Sequence, residues 1–357
     1  MHRTLIRLLI VCLTIVAAVG RLPGHVVAQA TPPVADADRA ATETLVRRYY
    51  EIAGSGDLGT LTEVVAPDLV IRTAPPGEGS SLESLKETLA AARAGLPDFA
   101  FRIDDLIVDG NSVVVRTTIG GTHLGTFFGA PPTGNRIEIP AIDLWRVDDG
   151  KLAENWHLED ILGVMAQLAA ATGPEGAATP PSANPVATSM TAAGEPGAAP
   201  ADTAMVQANE ALARRFRDQL LEQGTVAVAD EILAPGFVWH DDAPPGVGGV
   251  KRYVADLRNA FPDLVLTVDR VVAEGDRVAV LWTMSGTHRG EFLGVPATGN
   301  RISTVGIDIY RVEDGQIAEV WTRGDDLGLL VQLGAFPFFG DERAATPDAA
   351  DRQASAG

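Results

Sequence analysis

Beyond residue 30, the side chains best suited to proton transfer are four histidines, namely His123, His157, His240 and His288. The pKa of an imidazole lies near neutrality and responds to its surroundings, so each can act as a general acid, a general base or a hydrogen-bond donor to a carbonyl. No two of them have the spacing of a close pair of metal ligands, and no phosphate or dinucleotide fingerprint occurs between a strand and a helix. We therefore expect either acid–base chemistry without a metal or cofactor, or plain ligand binding.

Two of these histidines lie in nearly the same sequence stretch. Residues 121–136 read GTHLGTFFGAPPTGNR, and residues 286–301 read GTHRGEFLGVPATGNR. Each histidine ends a row of alternating, mostly apolar residues, so we expect His123 and His288 to look inwards and to help shape a pocket. A catalytic role and a structural role, in which the ring closes a strand end onto backbone groups, both fit this pattern.

Aspartates recur in the middle of two strand-like segments. Asp143 and Asp308 are flanked by isoleucines and leucines, and a charge in such a position needs a partner. Arg146 and Arg311, three residues further on, point to the opposite face of the same strand and are poor candidates. Either a structural pairing with another strand or a catalytic pocket can satisfy each aspartate.

A tryptophan precedes the last aspartate of each copy. Trp156 and Asp160, like Trp321 and Asp325, have the spacing to share one face of a strand that follows an Asp-Gly hairpin turn. A carboxylate beside a tryptophan in a partly dry cleft has a raised pKa, which prepares it to act as an acid or base. Both aspartates also directly precede a short helical segment, so each can cap a helix instead, and one residue can do both.

The elements that position these residues follow the same order in each copy. In the first copy, apolar residues recur at helical spacing in residues 43–54, 58–67 and 81–95. After Pro97 the pattern alternates as it does in strands, with turn signals at residues 109–111 and 133–135. Helices followed by an antiparallel meander indicate an α+β fold.

The chain is a tandem duplication. From Gly121 and Gly286 onwards the copies keep an offset of 165 residues, and more than half of the positions are identical. Each copy is long enough to hold its own core. We predict one domain over residues 38–168 and a second over residues 205–336. An Ala-, Pro-, Gly- and Thr-rich flexible linker is predicted over residues 169–204 and a disordered tail over residues 340–357.

Residues 1–30 have the pattern of a secretory signal. Two arginines precede an apolar run from Leu8 to Val19, and small residues end at Ala30. The run is short for a membrane span. We therefore expect cleavage after Ala30 and a secreted or extracytoplasmic protein without a stable membrane span; an uncleaved N-terminal anchor is the alternative. Cys12 is the single cysteine and lies in this segment, so the cleaved chain would contain no disulfide.

Charge narrows the range of partners. The chain has 28 basic and 47 acidic residues, which gives a formal net charge of −19. Such a charge repels phosphate backbones and anionic membrane surfaces. We therefore do not expect nucleic acid as a partner.

The combined motifs resemble the SnoaL-like polyketide cyclase family, also called the ester cyclases, of the NTF2-like superfamily. The GTHxGxFxGxPxTG hairpin, the IDxxRxxDG strand and the ExWxxxDxxGxxxQL ending occur once in each copy. The resemblance implies two tandem cones, each with N-terminal helices packed on a strongly curved antiparallel sheet around a hydrophobic pocket. Family cyclases close a ring by intramolecular aldol condensation with acid and base residues, without metal or cofactor.

The residues of the family carry over unevenly. Asp160 and Asp325 match the recurrent aspartate after the tryptophan, which implies a role as principal acid or base. Just after that tryptophan, where characterised cyclases can carry an acidic residue, the chain has His157 in one copy and a threonine in the other. Many relatives place a histidine after an aromatic-rich strand, as at His240, but the first copy has Arg72 there. The resemblance thus implies two unequal pockets.

Three functions fit these features. The first is an exported cyclase, isomerase or hydrolase that acts by proton transfer on a small, largely apolar carbonyl compound. The second is a protein that binds a small hydrophobic ligand without turnover. The third is an assembly scaffold, with the copies paired within one chain or in a homodimer. The candidate catalytic residues are His123, Asp143, Asp160, His240, His288, Asp308 and Asp325, and the candidate ligand contacts are Trp156, His157, Trp282 and Trp321.

Overall fold

The computed structural model of the protein describes residues 36–73, 79–171, 203–240 and 245–335, and the structural statements below concern these residues. The predicted signal segment and tail lie outside them, as does most of the predicted linker, residues 169–204. Both ends of that linker are helical, because one helix reaches Ala171 and the next begins at Thr203. Within the described residues, no helix is long and apolar enough to cross a membrane.

The first copy, here called repeat 1, runs from helix to sheet and ends on a helix. Its elements in chain order are α1 (Asp36–Ser55), a 3₁₀ turn (Leu58–Glu63), β1 (Val65–Ile71), α2 (Leu82–Gly95), β2 (Ala100–Asp109), β3 (Ser112–Thr122), β4 (Arg136–Asp148), β5 (Lys151–Glu159) and α3 (Ile161–Ala171).

The second copy, repeat 2, follows the same order with one irregular turn in its first helix. Its elements are α4 (Thr203–Arg215), a π-helical turn (Phe216–Glu222), α5 (Val228–Ile232), β6 (Leu233–Trp239), α6 (Gly246–Ala260), β7 (Val265–Glu274), β8 (Arg277–Thr287), β9 (Arg301–Glu313), β10 (Gln316–Gly324) and α7 (Asp326–Leu333).

The helices expected in repeat 1 form with one exception. The helix expected over residues 58–67 is wrong beyond its first turn, because the 3₁₀ turn ends at Glu63 and β1 begins at Val65. Two adjacent β-branched valines favour the strand, and β1 pairs in parallel with β5. The helix expected over residues 81–95 is confirmed as α2, and the Ser81 side chain caps it by accepting a hydrogen bond from the Ser84 N–H.

Each repeat forms one five-stranded sheet. The strand orders are β1-β5-β4-β3-β2 and β6-β10-β9-β8-β7. The predicted antiparallel meander is confirmed for β2 to β5 and for β7 to β10. The first strand of each repeat adds a parallel pair with the last, which the sequence pattern does not indicate. The predicted α+β class is confirmed, and the central strands β4 and β9 carry Asp143 and Asp308.

The inner face of each sheet packs against the helices of its own repeat. The alternating row that leads to His123 does look inwards, because Val113, Val115 and Ile119 are buried in the core of repeat 1. On β4 the inward residues include Ala141 and Trp145 of the same core. By the alternation of a strand, Asp143 between them also points inwards.

The outer faces of the two sheets pack against each other. The apolar core between them contains Ile107, Val114, Ile142, Leu144 and Leu158 from repeat 1, and Val272, Ala279, Leu281, Ile307 and Ile309 from repeat 2. Polar contacts extend this interface, since Arg277 Nε donates to Asp105 at 3.1 Å and Arg270 Nη1 donates to the Ser112 hydroxyl at 2.9 Å. Both faces of each sheet are therefore shielded from water.

One inserted residue distinguishes the first helices of the two repeats. The offset between the copies is 167 residues at Tyr49 and Phe216 but 168 at Gly56 and Gly224. The insertion coincides with the π-helical turn Phe216–Glu222, a geometry that accommodates an extra residue within a helix. This turn carries Arg217, whose side chain lies inside repeat 2.

Leu144→Ala is expected to lower the free energy of unfolding by about 2–5 kcal/mol, because it opens a cavity in the core between the sheets. Leu124→Ala is the matched control, since Leu124 is 57% exposed and its truncation is expected to cost less than about 0.5 kcal/mol. Urea unfolding of the full chain measures both. Equal costs for the two variants would contradict the packing of the sheets.

Candidate functional site

A buried aspartate with three hydrogen-bond donors lies at the centre of repeat 1. Asp143 accepts hydrogen bonds from the Tyr50 hydroxyl at 2.8 Å and from Asn155 Nδ2 at 3.0 Å. Nδ1 of His157 lies 2.9 Å from Asp143 Oδ1. The prediction that this carboxylate needs a partner from another element is therefore confirmed, with partners from α1 and β5.

Strand register explains why these groups meet. Asp143 on β4 lies directly opposite His157 on β5 in the antiparallel ladder. Asn155, two residues earlier on β5, shares the inward face with His157 because side chains alternate along a strand. Tyr50 reaches the same point from the buried face of α1, where Tyr49 packs edge-on against Trp145 with ring centroids 4.7 Å apart.

The Asp143–His157 pair is electrostatically coupled. Burial opposes the charged form of both groups, but their mutual attraction and hydrogen bonding outweigh it. The pKa of His157 is consequently raised well above its usual value, with a further contribution from Glu159. The His157 charge and the hydrogen bonds from His157, Asn155 and Tyr50 lower the pKa of Asp143. At neutral pH the site therefore holds an imidazolium beside a carboxylate.

One side of the imidazole remains open. The side chain of His157 is 34% exposed, whereas that of Asp143 is 5% exposed. Nε2 of His157 lies 3.4 Å from Glu159 Oε2, and Glu159 is itself partly exposed. The ring is thus held by Asp143 on one nitrogen and presents the other nitrogen, next to a second carboxylate, towards solvent.

Aromatic rings surround the inner end of this cluster. The ring of Tyr50 lies 5.1 Å from that of Phe101, and Phe101 lies 4.9 Å from Phe99. Burial and the neighbouring Asp143 charge raise the pKa of Tyr50 well above its usual value, so its hydroxyl stays protonated and donates to the carboxylate. The arrangement is a fixed proton donor and acceptor beside a flat apolar wall.

The corresponding aspartate of repeat 2 has different partners. Asp308 pairs with the guanidinium of Arg217, accepts from the Tyr310 hydroxyl at 2.5 Å and accepts from Trp282 Nε1 at 3.1 Å. All four side chains are buried. Arg217 stands where repeat 1 has Tyr50, and a threonine stands where repeat 1 has His157.

The interior of repeat 2 is filled around this ion pair. The Arg217 guanidinium lies 4.1 Å from the centroid of the Trp282 ring. Trp282 fits because Gly306 lies opposite it on β9, where an added Cβ would come within 2.0 Å of the indole. Repeat 1 has the smaller Thr117 in place of this tryptophan. Burial acts against the charge of Arg217, but Asp308 raises the pKa of the guanidinium, so the pair stays ionised.

The two hairpin histidines lie apart from both aspartates. His123 and His288 are fully buried just after β3 and β8. Nδ1 of His123 lies 3.0 Å from the Thr133 hydroxyl, and Nδ1 of His288 lies 3.1 Å from that of Thr298. The backbone of each also bonds across the returning chain, as in His123 N to the carbonyl of Asn135 at 2.8 Å. The structure thus shows them in the structural arrangement that the sequence left open.

The aspartates after the tryptophans serve as helix caps. Asp160 Oδ1 accepts from the Gly163 N–H at 2.8 Å, and Asp325 Oδ1 accepts from the Gly328 N–H at 2.9 Å. These bonds satisfy the first turns of α3 and α7. Of the two roles that the sequence left open, capping is the one that the structure displays.

The two tryptophans of this motif lie on the outer face of their strands. Trp156 and Trp321 pack against the core between the sheets, so the expected face with an acid inside a pocket is wrong. The inward face of β5 carries Asn155 and His157 instead. The physical reason is that the outer face is also dry, so an aromatic row on a strand does not identify the interior.

His240 also lies outside the interior of repeat 2. Its ring stacks on that of Trp321 with centroids 4.4 Å apart, and Nε2 lies 2.6 Å from Glu319 Oε2. In repeat 1 the corresponding Arg72 pairs with Glu154 at 3.0 Å. The structure therefore does not bring His240 together with Asp308, which is the catalytic grouping that the sequence suggested.

Several residues of the two clusters escape sequence reasoning. Tyr50, Asn155, Arg217 and Tyr310 carry no motif of their own. The available signals are weak: Arg217 interrupts the apolar face of a helix, and Asn155 interrupts the apolar alternation of β5. Of the predicted ligand contacts, His157 and Trp282 lie at the central aspartates.

Comparison with known proteins gives a consistent result. The sequence model of a family described as SnoaL-like polyketide cyclase matches residues 43–168 and 211–333, one match in each repeat. Aklanonic acid methyl ester cyclase DnrD of Streptomyces peucetius is 32% identical over 105 residues, which are 29% of this chain and 72% of DnrD. Aklanonic acid methyl ester cyclase DauD of Streptomyces sp. strain C5 is 32% identical over 108 residues, 30% of this chain and 67% of DauD.

Solved structures are similar to this chain over about one repeat. TsrD of Streptomyces laurentii shows 34% identity and a TM-score of 0.35, and the match covers 36% of this chain and 97% of TsrD. IdmH of Streptomyces antibioticus shows 33% identity and a TM-score of 0.33 over 36% of this chain and 98% of IdmH.

Asp143→Asn is expected to destabilise the protein in a pH-dependent way. The raised pKa of His157 contributes stability that is complete below its unfolded value of about 6.5 and is lost as the pH rises through the folded value. The lowered pKa of Asp143 contributes stability that is present above about 3.9 and is lost as the pH falls through the folded value. Urea unfolding at a series of pH values should therefore show the largest difference from wild type between about pH 4 and 6.5. A difference that does not change with pH would contradict the coupled pair.

Arg217→Met is expected to lower the free energy of unfolding by about 3–5 kcal/mol, because it leaves the buried Asp308 charge without its cation. The double variant Arg217→Met/Asp308→Asn should recover part of that loss. Arg215→Met, which removes a surface pair with Glu231 one residue away, should cost less than about 1 kcal/mol. Equal losses for the Arg217 and Arg215 variants in urea unfolding would show that the Arg217–Asp308 pair is not structural.

Proposed function

Because this chain belongs to the SnoaL-like polyketide cyclase family, we propose that repeat 1 carries out cofactor-free acid–base chemistry of the cyclase type on a small, largely apolar carbonyl compound. The observation that carries the proposal is the Asp143–His157 pair, buried on its aspartate side and open at His157 Nε2. Such a pair is the usual way to keep an imidazole oriented and ready to transfer a proton.

His157 is the proton donor in this proposal. In an intramolecular aldol closure, a carbon beside one carbonyl loses a proton and attacks a second carbonyl carbon, whose oxygen gains a proton. The imidazolium gives its Nε2 proton to that oxygen. Glu159, 3.4 Å from Nε2, takes the proton from carbon and can return it to the imidazole, so the cycle closes without an oxidant or reductant.

Asp143 is a positioning residue rather than a base. It accepts three hydrogen bonds, and its lowered pKa makes it a weak proton acceptor. Its charge keeps His157 protonated and fixes which ring nitrogen faces the substrate. The adjacent rings of Tyr50, Phe99 and Phe101 favour a flat, apolar substrate.

Repeat 2 is the silent partner in this proposal. Its aspartate is neutralised by Arg217, and its interior is filled by Trp282, so neither a titrating pair nor an open nitrogen faces a substrate there. Its sheet covers the outer face of the repeat 1 sheet. This shared core also fits the assembly-scaffold alternative, in which the pairing of the two repeats is itself the function.

Export is a separate part of the proposal. The arginines and the apolar run within residues 1–30 support a cleaved signal and action outside the cytoplasm, with an N-terminal anchor as the alternative. Mass spectrometry of the N-terminus of the protein from its own host tests this part. A chain that begins after Ala30 supports it, and a cytoplasmic chain with an intact N-terminus refutes it.

His157→Gln is expected to lower kcat by about 10²–10⁴-fold, because it removes the transferable proton. Aklanonic acid methyl ester, named in the description of two relatives, is the first compound to assay, followed by other small apolar compounds with two carbonyls. His240→Gln is the matched control, since it makes the same change on the outer face and should keep wild-type turnover.

The assay separates the proposal from its alternatives. Equal loss of activity in the His157→Gln and His240→Gln variants would contradict the role of His157. A wild-type protein that binds such compounds, shown by quenching of tryptophan fluorescence, but does not convert them would favour a non-catalytic hydrophobic-ligand protein. A wild-type protein that neither binds nor converts them would favour the scaffold.

A further inference from the structure

A cleft of about 220 Å³ lies at one end of the interface between the two sheets. Repeat 1 contributes residues of β2, β3 and β4 to its walls, and repeat 2 contributes the end of β10. Three arginines line it, namely Arg102 and Arg116 from repeat 1 and Arg323 from repeat 2. The chain as a whole carries a net charge of −19, so this concentration of cations runs against its composition.

The arginines are incompletely neutralised within the cleft. Among the described residues that line it, Asp104 is the one carboxylate. Arg102 occupies that carboxylate at 2.6 Å, while the nearest Arg116 nitrogen is 3.8 Å away. Nε of Arg116 is buried and makes no hydrogen bond, although its guanidinium lies 4.8 Å from the centroid of the Trp321 ring. Arg323 Nη1 donates to the carbonyl of Thr322 at 2.8 Å.

The other end of the interface provides an internal reference. With the offset of 165 residues, Arg116 corresponds to Leu281 and Arg323 corresponds to Leu158. Both leucines are buried in the apolar core between the sheets. The duplication has thus produced a closed apolar contact at one end and an open cationic cleft at the other. Two like charges in place of two leucines weaken an interface unless an anion joins them.

We propose that this cleft binds a small oxyanion, a carboxylate or a phosphate group, between Arg116 and Arg323. A guanidinium presents its N–H groups in a planar fork that matches both kinds of oxyanion. The anion would bridge the two repeats, and it would bind away from His157, on the outer face of the sheet. The site is independent of the proposed reaction.

Isothermal titration calorimetry of the full chain tests the site, with inorganic phosphate and with succinate at constant ionic strength. We expect saturable one-to-one binding of at least one probe, together with a rise in Tm. Binding of phosphate alone would identify a phosphate site, and binding of succinate alone a carboxylate site. Absence of saturable binding for both probes would overturn the proposal.

Variants locate the site. Arg116→Leu and Arg323→Leu recreate the apolar pair of the opposite end and should each weaken binding about 10- to 100-fold, the loss expected for charged hydrogen bonds. Arg116→Lys and Arg323→Lys keep the charge but lose the fork, and they should also weaken binding if the leucine variants fail to fold. Arg48→Leu removes one positive charge from the exposed face of α1 and should bind as wild type.

Two results separate this site from the catalytic proposal. The leucine variants should keep the turnover of wild type, because they leave Asp143 and His157 in place. Unchanged anion affinity in both the leucine and lysine variants, or equal weakening in Arg48→Leu, would overturn the assignment, whatever the activity of repeat 1.

Discussion

A carboxylate that leaves water must be paired, and both repeats place one on the inner face of the strand at the centre of the sheet. The choice of partner determines what each repeat can do. Tyr50, Asn155 and His157 hold Asp143 through one titrating group and two neutral donors, and the titrating group reaches solvent. Arg217 holds Asp308 through a permanent cation inside a filled core. The same constraint thus gives a switchable pair in one repeat and a fixed pair in the other.

The duplication explains how this division can persist. Each sheet needs a cover on its outer face, and the other repeat provides it through the core that contains Leu144 and Ile309. Repeat 2 is therefore needed for packing even if it performs no chemistry. Freed from a catalytic role, its interior accommodates Trp282 above Gly306 and the extra residue of the π-helical turn that carries Arg217. Stability of the pair and activity of one member can then be selected separately.

The sequence predicts the fold well because its signals are local. Periodicity, Asp-Gly turns and the repeated motifs are enough for the α+β class and the meander. The site is harder, because Tyr50 reaches Asp143 across 93 residues of chain and carries no motif. Trp156 shows the opposite error: a strand face with a tryptophan was expected inside a pocket, but the second dry face of the sheet lies against the other repeat. A pattern of burial cannot distinguish two buried faces. Only the pairing register places His157, rather than Trp156, beside Asp143.

The most direct test of the central claim is the titration of the His157 imidazole, followed by the nitrogen chemical shifts of the ring in labelled full-length protein. The account predicts that the ring stays protonated well above its ordinary pKa of about 6.5 and that Asp143→Asn lowers the midpoint. A ring that is already neutral at pH 7, or a midpoint that Asp143→Asn leaves unchanged, would contradict the account.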